Sequence, residues 1–171
     1  MKPEALQSIV IGGAGLMGAS MAQAFAHFGF SVTLYDISEA ALEKGKKLIA
    51  LNQKDWVELG LIGEEASGQL QESLRFTTDR SAFRNCGLVV ESIVERLEVK
   101  QSFWREVSEL AGKDCVFATN TSGLSITAIA EAVKGPERFA GMHWFNPSHI
   151  VPLVEVIQGE KTAPETADFL Y

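Results

Sequence analysis

The chain has 171 residues, of which 46% are hydrophobic, and its formal net charge is −7 at pH 7. This length suits one domain with its own core, and the negative charge argues against a nucleic-acid surface. No apolar run approaches the ~20 residues that a membrane helix needs, and no signal peptide precedes the first apolar run, so we expect no membrane span.

The two cysteines and three histidines do not form the pattern of a disulfide framework or a metal site. Cys86 precedes one apolar run and Cys115 begins another, so we expect two reduced, mostly buried thiols. His27, His143 and His149 lack the spacing of metal ligands. We therefore expect no metal and a cytoplasmic protein.

Residues 7–36 predict a strand, a tight turn, a helix and a second, parallel strand. The turn carries the spacing G-x-G-x-x-G, formed by Gly13, Gly15 and Gly18. Gly13 permits the sharp turn, Gly15 leaves room for a pyrophosphate, and Gly18 lets the helix pack against the strand. This arrangement within about 30 residues is typical of a dinucleotide-binding unit.

Asp36 ends the second strand of this unit. A carboxylate there accepts hydrogen bonds from ribose hydroxyls and repels the 2′-phosphate of NADP. The helix N-terminus, which begins with Leu16 and Met17, offers free amides to the phosphates. The sequence therefore predicts NAD as the cofactor. The alternative, a merely structural glycine turn, is less favoured because strand, helix and acidic residue all occur in register.

After Asp36 the pattern predicts a long helix over 39–59, capped by Ser38, then a second helix over 64–73 and a short strand over 74–78. This helical excursion is longer than an ordinary crossover between parallel strands. It either contacts a bulky substrate or only decorates the crossover.

Strands and helices then alternate along the chain. We expect strands over 88–93, 115–119, 139–144 and 152–157, a helix over 97–110, and a helix capped by Ser125 that turns Ile126, Ile129, Ala130 and Val133 inward. This alternation predicts an α/β fold: a doubly wound, mostly parallel, Rossmann-like sheet with a helical insertion after the second strand.

Two residues near the end of the chain are candidates for a catalytic role. His143 lies near the end of one predicted strand, and Glu155 is the only charged residue of the next. A lone carboxylate in an apolar strand needs a partner, and His143 is the candidate. Such a pair would orient the imidazole and stabilise its protonated form. Either residue alone could be structural, but beside a redox cofactor the pair predicts catalysis.

Motifs spread over nearly the whole chain resemble the NAD-binding domain of the L-3-hydroxyacyl-CoA dehydrogenase family. They are IGGAGLMGASMAQ (11–23), VVESIVERLEVK (89–100), FATNTSGLSI (117–126), RFAGMHWFNP (138–147) and PLVEVI (152–157). The resemblance implies NAD-dependent oxidation of the 3-hydroxyl of a 3-hydroxyacyl-CoA, or of a related 3-hydroxy acid, to the 3-oxo compound.

The resemblance also implies roles for single residues. His143 matches the catalytic base and Glu155 its partner, while Ser122 matches a serine near the substrate oxygen and the nicotinamide. The residues that match the rest of the NAD site are Glu95, Lys100 and Asn146.

Two departures from the family pattern matter. Gly123 stands where many members have a second serine, which leaves the local hydrogen bonding open. Residues 148–151 differ from the fatty-acid enzymes and are nearer to lambda-crystallin-like and carnitine dehydrogenases. Asn52 and Lys54 lie in the long helix after Asp36, the region in which family members contact coenzyme A through serine and lysine side chains. A small 3-hydroxy acid is therefore the alternative to an acyl-CoA substrate.

The resemblance implies a domain organisation as well. We expect a short disordered lead over residues 1–6, an NAD-binding domain over 1–160, and over 161–171 the start of a linker helix, where Thr162 and Glu165 have the form of a capping box. Family members continue into a helical domain that completes the site and carries the dimer contact, so we expect a homo-oligomer. We also expect a truncated chain with poor activity alone, which makes an NAD-binding module without turnover a further alternative.

Overall fold

The computed structural model describes Leu6 and residues 8–171. Apart from Leu6, the predicted disordered lead lies outside these residues. The elements, in chain order, are β1 (Ser8–Gly12), α1 (Leu16–His27), β2 (Ser31–Tyr35), α2 (Glu39–Glu58), α3 (Glu64–Ser73), β3 (Arg75–Thr77), β4 (Leu88–Glu91), α4 (Leu97–Leu110), β5 (Val116–Thr119), α5 (Ile126–Ala130), β6 (Phe139–Trp144), β7 (Val154–Ile157) and α6 (Pro164–Leu170). Short 3-10 turns, which the sequence pattern did not predict, precede β4 and β6.

Within the described residues, seven strands form one sheet in the order β3-β2-β1-β4-β5-β6-β7. Neighbouring strands are parallel except for β7, which runs antiparallel to β6. The chain starts at β1, winds outward to β3, and returns to place β4 on the other side of β1. This confirms the predicted doubly wound Rossmann-like fold, with α2 and α3 as the insertion after β2. Ligands of such sheets bind at the carboxyl edge where the winding reverses, here between β1 and β4.

Alternate residues of β1 point into two separate cores. Ile9 and Ile11 pack in the core that α1, α2 and α3 cover, while Val10 packs in the core beneath α4 and α5. Each such buried aliphatic side chain contributes about 1.5–3 kcal/mol relative to an exposed one. Trp104 of α4 is fully buried in the second core. Helices on both faces therefore hold the sheet rigid beneath its carboxyl edge.

The helix starts confirm two predictions and correct one. The hydroxyls of Ser38 and Ser125 accept hydrogen bonds from backbone amides of α2 and α5, as expected of N-caps. The capping box at Thr162 is wrong, because α6 starts after Ala163 and the hydroxyl of Thr162 instead donates to the carbonyl of Phe139. The side chain of Thr162 therefore bonds to β6 and does not cap α6.

Helix α5 is also shorter than the apolar pattern predicts. It ends at Ala130, although Val133 beyond it is buried as expected. Both cysteines are buried and free, with their sulfur atoms 3.8 Å apart, which confirms the prediction of buried thiols. Among the helices of the described residues, none has the length and apolar character to cross a membrane.

Candidate cofactor and catalytic site

Backbone hydrogen bonds lock together the loops at the carboxyl edge of the sheet. The amide of Gly13 donates to the carbonyl of Tyr35 at 2.8 Å, and the amide of Ser92 donates to the carbonyl of Gly12 at 2.7 Å. The loops after β1, β2 and β4 are thus fixed against one another, and this edge offers a preformed surface to a ligand.

The three glycines of the turn occupy three different environments. Gly13 has a φ of 107°, and a Cβ there would lie 2.5 Å from the carbonyl oxygen of Ser92. A Cβ on Gly18 would lie 1.8 Å from the carbonyl oxygen of Gly13. A Cβ on Gly15 would meet nothing within 4 Å. Gly13 and Gly18 are therefore required by the fold, while the space beside Gly15 is open for a ligand.

Helix α1 directs its N-terminus at this open space. Gly15 is its N-cap, and among the described residues no side chain caps this end. The first amides of a helix have no acceptor within the helix, and the helix dipole leaves this end partly positive. The amides at Leu16 and Met17 can therefore receive phosphate oxygens.

Asp36 follows β2 and is held by two backbone amides. Its Oδ2 accepts a hydrogen bond from Ala14 N–H at 2.9 Å, and its Oδ1 accepts one from Ser38 N–H at 3.0 Å. A carboxylate offers about four acceptor positions, so positions remain for hydroxyl groups of a ligand. The same bonds connect Asp36 to the glycine turn and fix the distance between the two.

Two cavities meet at the N-terminus of α1. The larger one measures about 640 Å³ and is lined by Gly13, Gly15 and Asp36, together with apolar side chains of α2 and α4. The smaller one measures about 520 Å³ and is lined by Leu16, Met17, Asn120, Ser122, His143, Trp144, Phe145 and Asn146. Leu16 borders both cavities. An elongated ligand bound across the turn would place one end at Asp36 and the other at His143.

His143 lies between a hydroxyl and a carboxylate. The register of β6 and β7 places it directly opposite Glu155, with Nδ1 2.8 Å from Glu155 Oε2. Its Nε2 lies 3.1 Å from Ser122 Oγ. The predicted His143–Glu155 hydrogen bond is therefore confirmed. A carboxylate only accepts hydrogen bonds, so Nδ1 carries the proton of this pair. In the neutral ring, Nε2 is then free to accept a proton.

Glu95 organises the loop that carries Ser122. Its Oε1 accepts hydrogen bonds from the Thr121 hydroxyl, from Ser122 N–H at 3.0 Å and from Gly123 N–H at 3.2 Å. Burial acts to raise the pKa of Glu95, but the Thr121 hydrogen bond, the charge of Lys100 and the two backbone amides outweigh it and hold that pKa below its usual range. The carboxylate is therefore stabilised in its ionised form.

The structure does not place Lys100 on the wall of either cavity. Its side chain is 0% exposed, and its ammonium lies 2.5 Å from Glu91 Oε1 and 3.5 Å from Glu95 Oε2. Lys100 therefore influences the site indirectly, through its contact with Glu95. Asn146, in contrast, lines the smaller cavity as its position in the motif suggests.

Asn120 is a site residue that the sequence analysis did not single out. Its Oδ1 accepts a hydrogen bond from Trp144 N–H at 3.0 Å, and its Nδ2 donates to Ser92 Oγ at 3.2 Å. It therefore connects the carboxyl ends of β4, β5 and β6 directly beside His143. Its place immediately after a buried strand was the available signal, because that is where a parallel sheet presents its ligand groups.

Metal ions are not suggested by the described part of the chain, which holds no group of three histidine, cysteine, aspartate or glutamate side chains that could bind one. The site instead combines a phosphate-binding turn, a carboxylate for ribose hydroxyls, and a histidine with a free ring nitrogen.

Residues 8–171 match the family model described as 3-hydroxyacyl-CoA dehydrogenase, NAD binding domain. The chain belongs to this family. Its cofactor is NAD, and the open space at Gly15, the uncapped N-terminus of α1 and the carboxylate of Asp36 suit the pyrophosphate and a ribose of that cofactor.

Relatives of known function share most of this domain. Over 162 residues the chain is 38% identical to 5-formyl-3-hydroxy-2-methylpyridine 4-carboxylate 5-dehydrogenase of Mesorhizobium japonicum, covering 94% of this chain and 52% of that protein. It is 39% identical over 165 residues to 3-hydroxyadipyl-CoA dehydrogenase of Escherichia coli, covering 96% of this chain and 35% of that protein. These relatives are oxidoreductases.

Solved structures agree with this assignment. The crystal structure of 3-hydroxybutyryl-CoA dehydrogenase from Escherichia coli superposes with a TM-score of 0.92 at 39% identity, covering 96% of this chain and 35% of the other. That of (S)-3-hydroxybutyryl-CoA dehydrogenase from Ralstonia eutropha gives a TM-score of 0.92 at 29% identity, covering 97% of this chain and 61% of the other. The chain thus spans between about a third and two thirds of the length of these relatives.

Proposed function

We propose that this protein oxidises the 3-hydroxyl of a 3-hydroxyacyl-CoA, or of a related 3-hydroxy acid, to the 3-oxo compound, with His143 as the general base. The observation that carries this proposal is the placement of His143 Nε2. It faces Ser122 at 3.1 Å on the wall of the smaller cavity, while Nδ1 is occupied by Glu155. The ring therefore has one nitrogen fixed by the protein and one available to a substrate.

The chain supplies the proton transfer of this reaction. A substrate hydroxyl bound beside Ser122 and His143 gives its proton to Nε2 as the carbonyl forms, and Glu155 holds the resulting imidazolium. NAD, when bound, would supply the acceptor for the hydride that leaves C3. In the reverse direction Nε2 returns the proton to the oxygen. Ser122 stabilises the substrate oxygen by hydrogen bonding.

The other site residues bind and orient the cofactor. Gly13, Gly15, Gly18 and the first amides of α1, at Leu16 and Met17, would hold the pyrophosphate, and Asp36 would hold a ribose. On the nicotinamide side, Ser122 and Asn146 would contact the cofactor. Glu95 would act at the edge of that site, and Lys100 would act through Glu95, because its ammonium is buried behind that carboxylate.

The acyl-CoA class is favoured by the relatives whose names specify CoA thioesters. The second candidate, a small 3-hydroxy acid, is supported by residues 148–151, which depart from the pattern of the fatty-acid enzymes. A relative at 38% identity is named for a pyridine carboxylate instead of a thioester. Asn52 does not decide between them, since its side chain is buried and its amide lies 3.4 Å from Ser20 Oγ.

The domain organisation is part of the proposal. Residues 1–160 would form the NAD-binding domain, and residues 161–171, which include α6, would start the connection to a helical domain that completes the substrate site and carries a homo-oligomer contact. Ile150 and Leu153, exposed next to the His143 strands, would lie on the face that meets such a domain. The proposed compartment is the cytoplasm, in keeping with two free thiols.

An assay of NADH formation with 3-hydroxybutyryl-CoA, run beside a titration of NAD binding, tests the proposal. NADH formation that is lost in His143→Asn supports the enzyme. Binding of NAD without NADH formation from either the thioester or free 3-hydroxybutyrate supports the remaining alternative, an NAD-binding module without turnover.

A further inference from the structure

Glu91, the last residue of β4, buries a carboxylate at the centre of the carboxyl edge. Its Oε1 accepts hydrogen bonds from Lys100 Nζ at 2.5 Å and Ile93 N–H at 2.9 Å. Its Oε2 accepts them from the Thr119 hydroxyl at 2.6 Å and the Trp104 indole N–H at 3.2 Å. These four donors fill the acceptor positions of a carboxylate. One side chain thus holds α4, β5 and the loop after β4 together.

Lys100 has partners on three sides. Its ammonium donates hydrogen bonds to Glu91 Oε1 and to the carbonyl oxygen of Asn120 at 3.2 Å, and it forms an ion pair with Glu95 Oε2 at 3.5 Å. Glu91 is fully buried, whereas the side chain of Glu95 is 45% exposed. Glu91 is therefore the partner that balances the charge of Lys100 inside the protein.

The two other partners of Lys100 connect it to Ser122 and His143. Glu95 accepts a hydrogen bond from the amide of Ser122, and the side chain of Asn120 accepts one from the amide of Trp144, the residue after His143. Ser122 Oγ and His143 Nε2 are 3.1 Å apart. Glu91 is thus linked to both Ser122 and His143, although it lines neither of the cavities that the described residues form around them.

Stability alone does not account for this network. A buried ion pair gains little over well-packed apolar residues of similar volume, because desolvation offsets the attraction between the charges. What the charges do provide is a fixed geometry, since each donor has one acceptor and any shift leaves a buried charge unpaired.

We propose that Glu91 is a positioning residue. Acting through Lys100, it fixes Glu95 and residues 120–123 so that Ser122 stays against His143 and the nicotinamide side of the site keeps its shape. This inference rests on the proposed function for the roles of Ser122 and His143.

The test compares Glu91→Gln with a matched control. Gln has nearly the same shape as Glu but lacks its charge, and its amide nitrogen cannot accept a hydrogen bond. The control is Gln53→Leu, which removes a buried side chain from a separate network that joins α1, α2 and α3 through Gln23 and Ser67. Both variants should lower the free energy of unfolding, because each disrupts a buried hydrogen-bond network. Only Glu91→Gln should weaken NAD binding, by about tenfold, the scale on which outer partners of a site act.

The second readout is the imidazole NMR spectrum of His143 in the cofactor-free chain, assigned with His143→Asn. Glu91→Gln should shift these resonances because the contact with Ser122 loosens, and Gln53→Leu should leave them in place. If Glu91→Gln does not fold, Thr119→Val decides, since it removes only one of the four donors to Glu91 while keeping the side-chain shape.

The proposal is overturned if the folded variant keeps both the wild-type Kd for NAD and the wild-type His143 resonances, or if Gln53→Leu changes them equally. These outcomes are separable from failure of the proposed function. A chain that forms no NADH but shows the His143 response loses only the proposed function. A chain that turns over substrate with no response to Glu91→Gln loses only the positioning role.

Discussion

The Nδ1 atom of His143 lies 2.8 Å from Oε2 of Glu155, across the antiparallel pair of strands that ends the sheet. This hydrogen bond places a proton on Nδ1, because a carboxylate accepts and never donates when ionised. In the neutral ring, Nε2 is then the acceptor that faces the cavity. The side chain of His143 is 17% exposed, so the ring is mostly enclosed yet open to a substrate.

Glu155→Gln should lower kcat/KM by about 10²-fold, the lower end of what general acid–base catalysis contributes. The amide of Gln can donate to Nδ1 and so favour the tautomer whose Nε2 already carries a proton. The measurement is the steady-state rate of NADH formation, combined with ¹⁵N shifts that report the tautomer. A variant with full activity and an unchanged tautomer would show that Glu155 does not orient the ring.

Asp36 should select NAD over NADP through its charge. Asp36→Asn keeps an oxygen that can accept a backbone amide but removes the repulsion of a 2′-phosphate. We expect the ratio of the Kd values for NADP and NAD to fall by about tenfold, which corresponds to about 1.4 kcal/mol.

Asp36→Ala distinguishes the effect of the charge of Asp36 from the effect of its hydrogen bonds to the backbone. It also removes the acceptors for the amides of Ala14 and Ser38, so it should loosen the turn and weaken binding of both dinucleotides. Retention of the wild-type preference in both variants would mean that another group discriminates between the cofactors.

Gly18→Ala should impair stability, whereas Gly15→Ala should impair NAD binding. A Cβ at Gly18 would lie 1.8 Å from a backbone oxygen, so Gly18→Ala should cost about 3 kcal/mol of stability or more. A Cβ at Gly15 meets nothing, so Gly15→Ala should fold normally but intrude on the space for the pyrophosphate. Thermal unfolding beside NAD titration checks both, and a Gly15→Ala chain that binds NAD as wild type would place the phosphates elsewhere.

Much of this arrangement follows from local sequence pattern. The glycine spacing, the serine caps of α2 and α5 and the alternation of strands with helices were all readable, because each depends on residues close in the chain. The four-donor shell of Glu91 was not, since its partners come from α4 and β5 and meet only in the folded sheet. Thr162 shows the same limit, because a contact with Phe139 displaced the cap that its local pattern predicts.

His149 should make stability depend on pH. Burial lowers the pKa of His149 below its ordinary value of 6.5, and the charge of Asp55 offsets part of this effect. The unfolded chain therefore binds the proton more readily than the folded one, so stability is lost as the pH falls through and below 6.5.

His149→Phe keeps a ring against Trp56 and removes this titration. Urea unfolding of both chains at several pH values measures it, and the variant should show a flatter slope in that window. The lowered pKa of Glu95 also makes stability fall as the pH falls. Because this pKa lies below its ordinary value of 4.5, the effect appears at a lower pH than that of His149. Parallel slopes for the two chains as the pH falls below 6.5 would contradict the role given to His149.

The rate of NADH formation from 3-hydroxybutyryl-CoA and NAD, compared between wild type and His143→Asn, measures whether His143 is the general base. Glu155 has a 55% exposed side chain, and water at such a pair weakens its electrostatic help, so we expect slow turnover. That turnover should nevertheless exceed the rate of His143→Asn by about 10²–10⁴-fold at equal NAD occupancy. Equal rates in the two chains, with NAD bound to both, would show that His143 is not the general base.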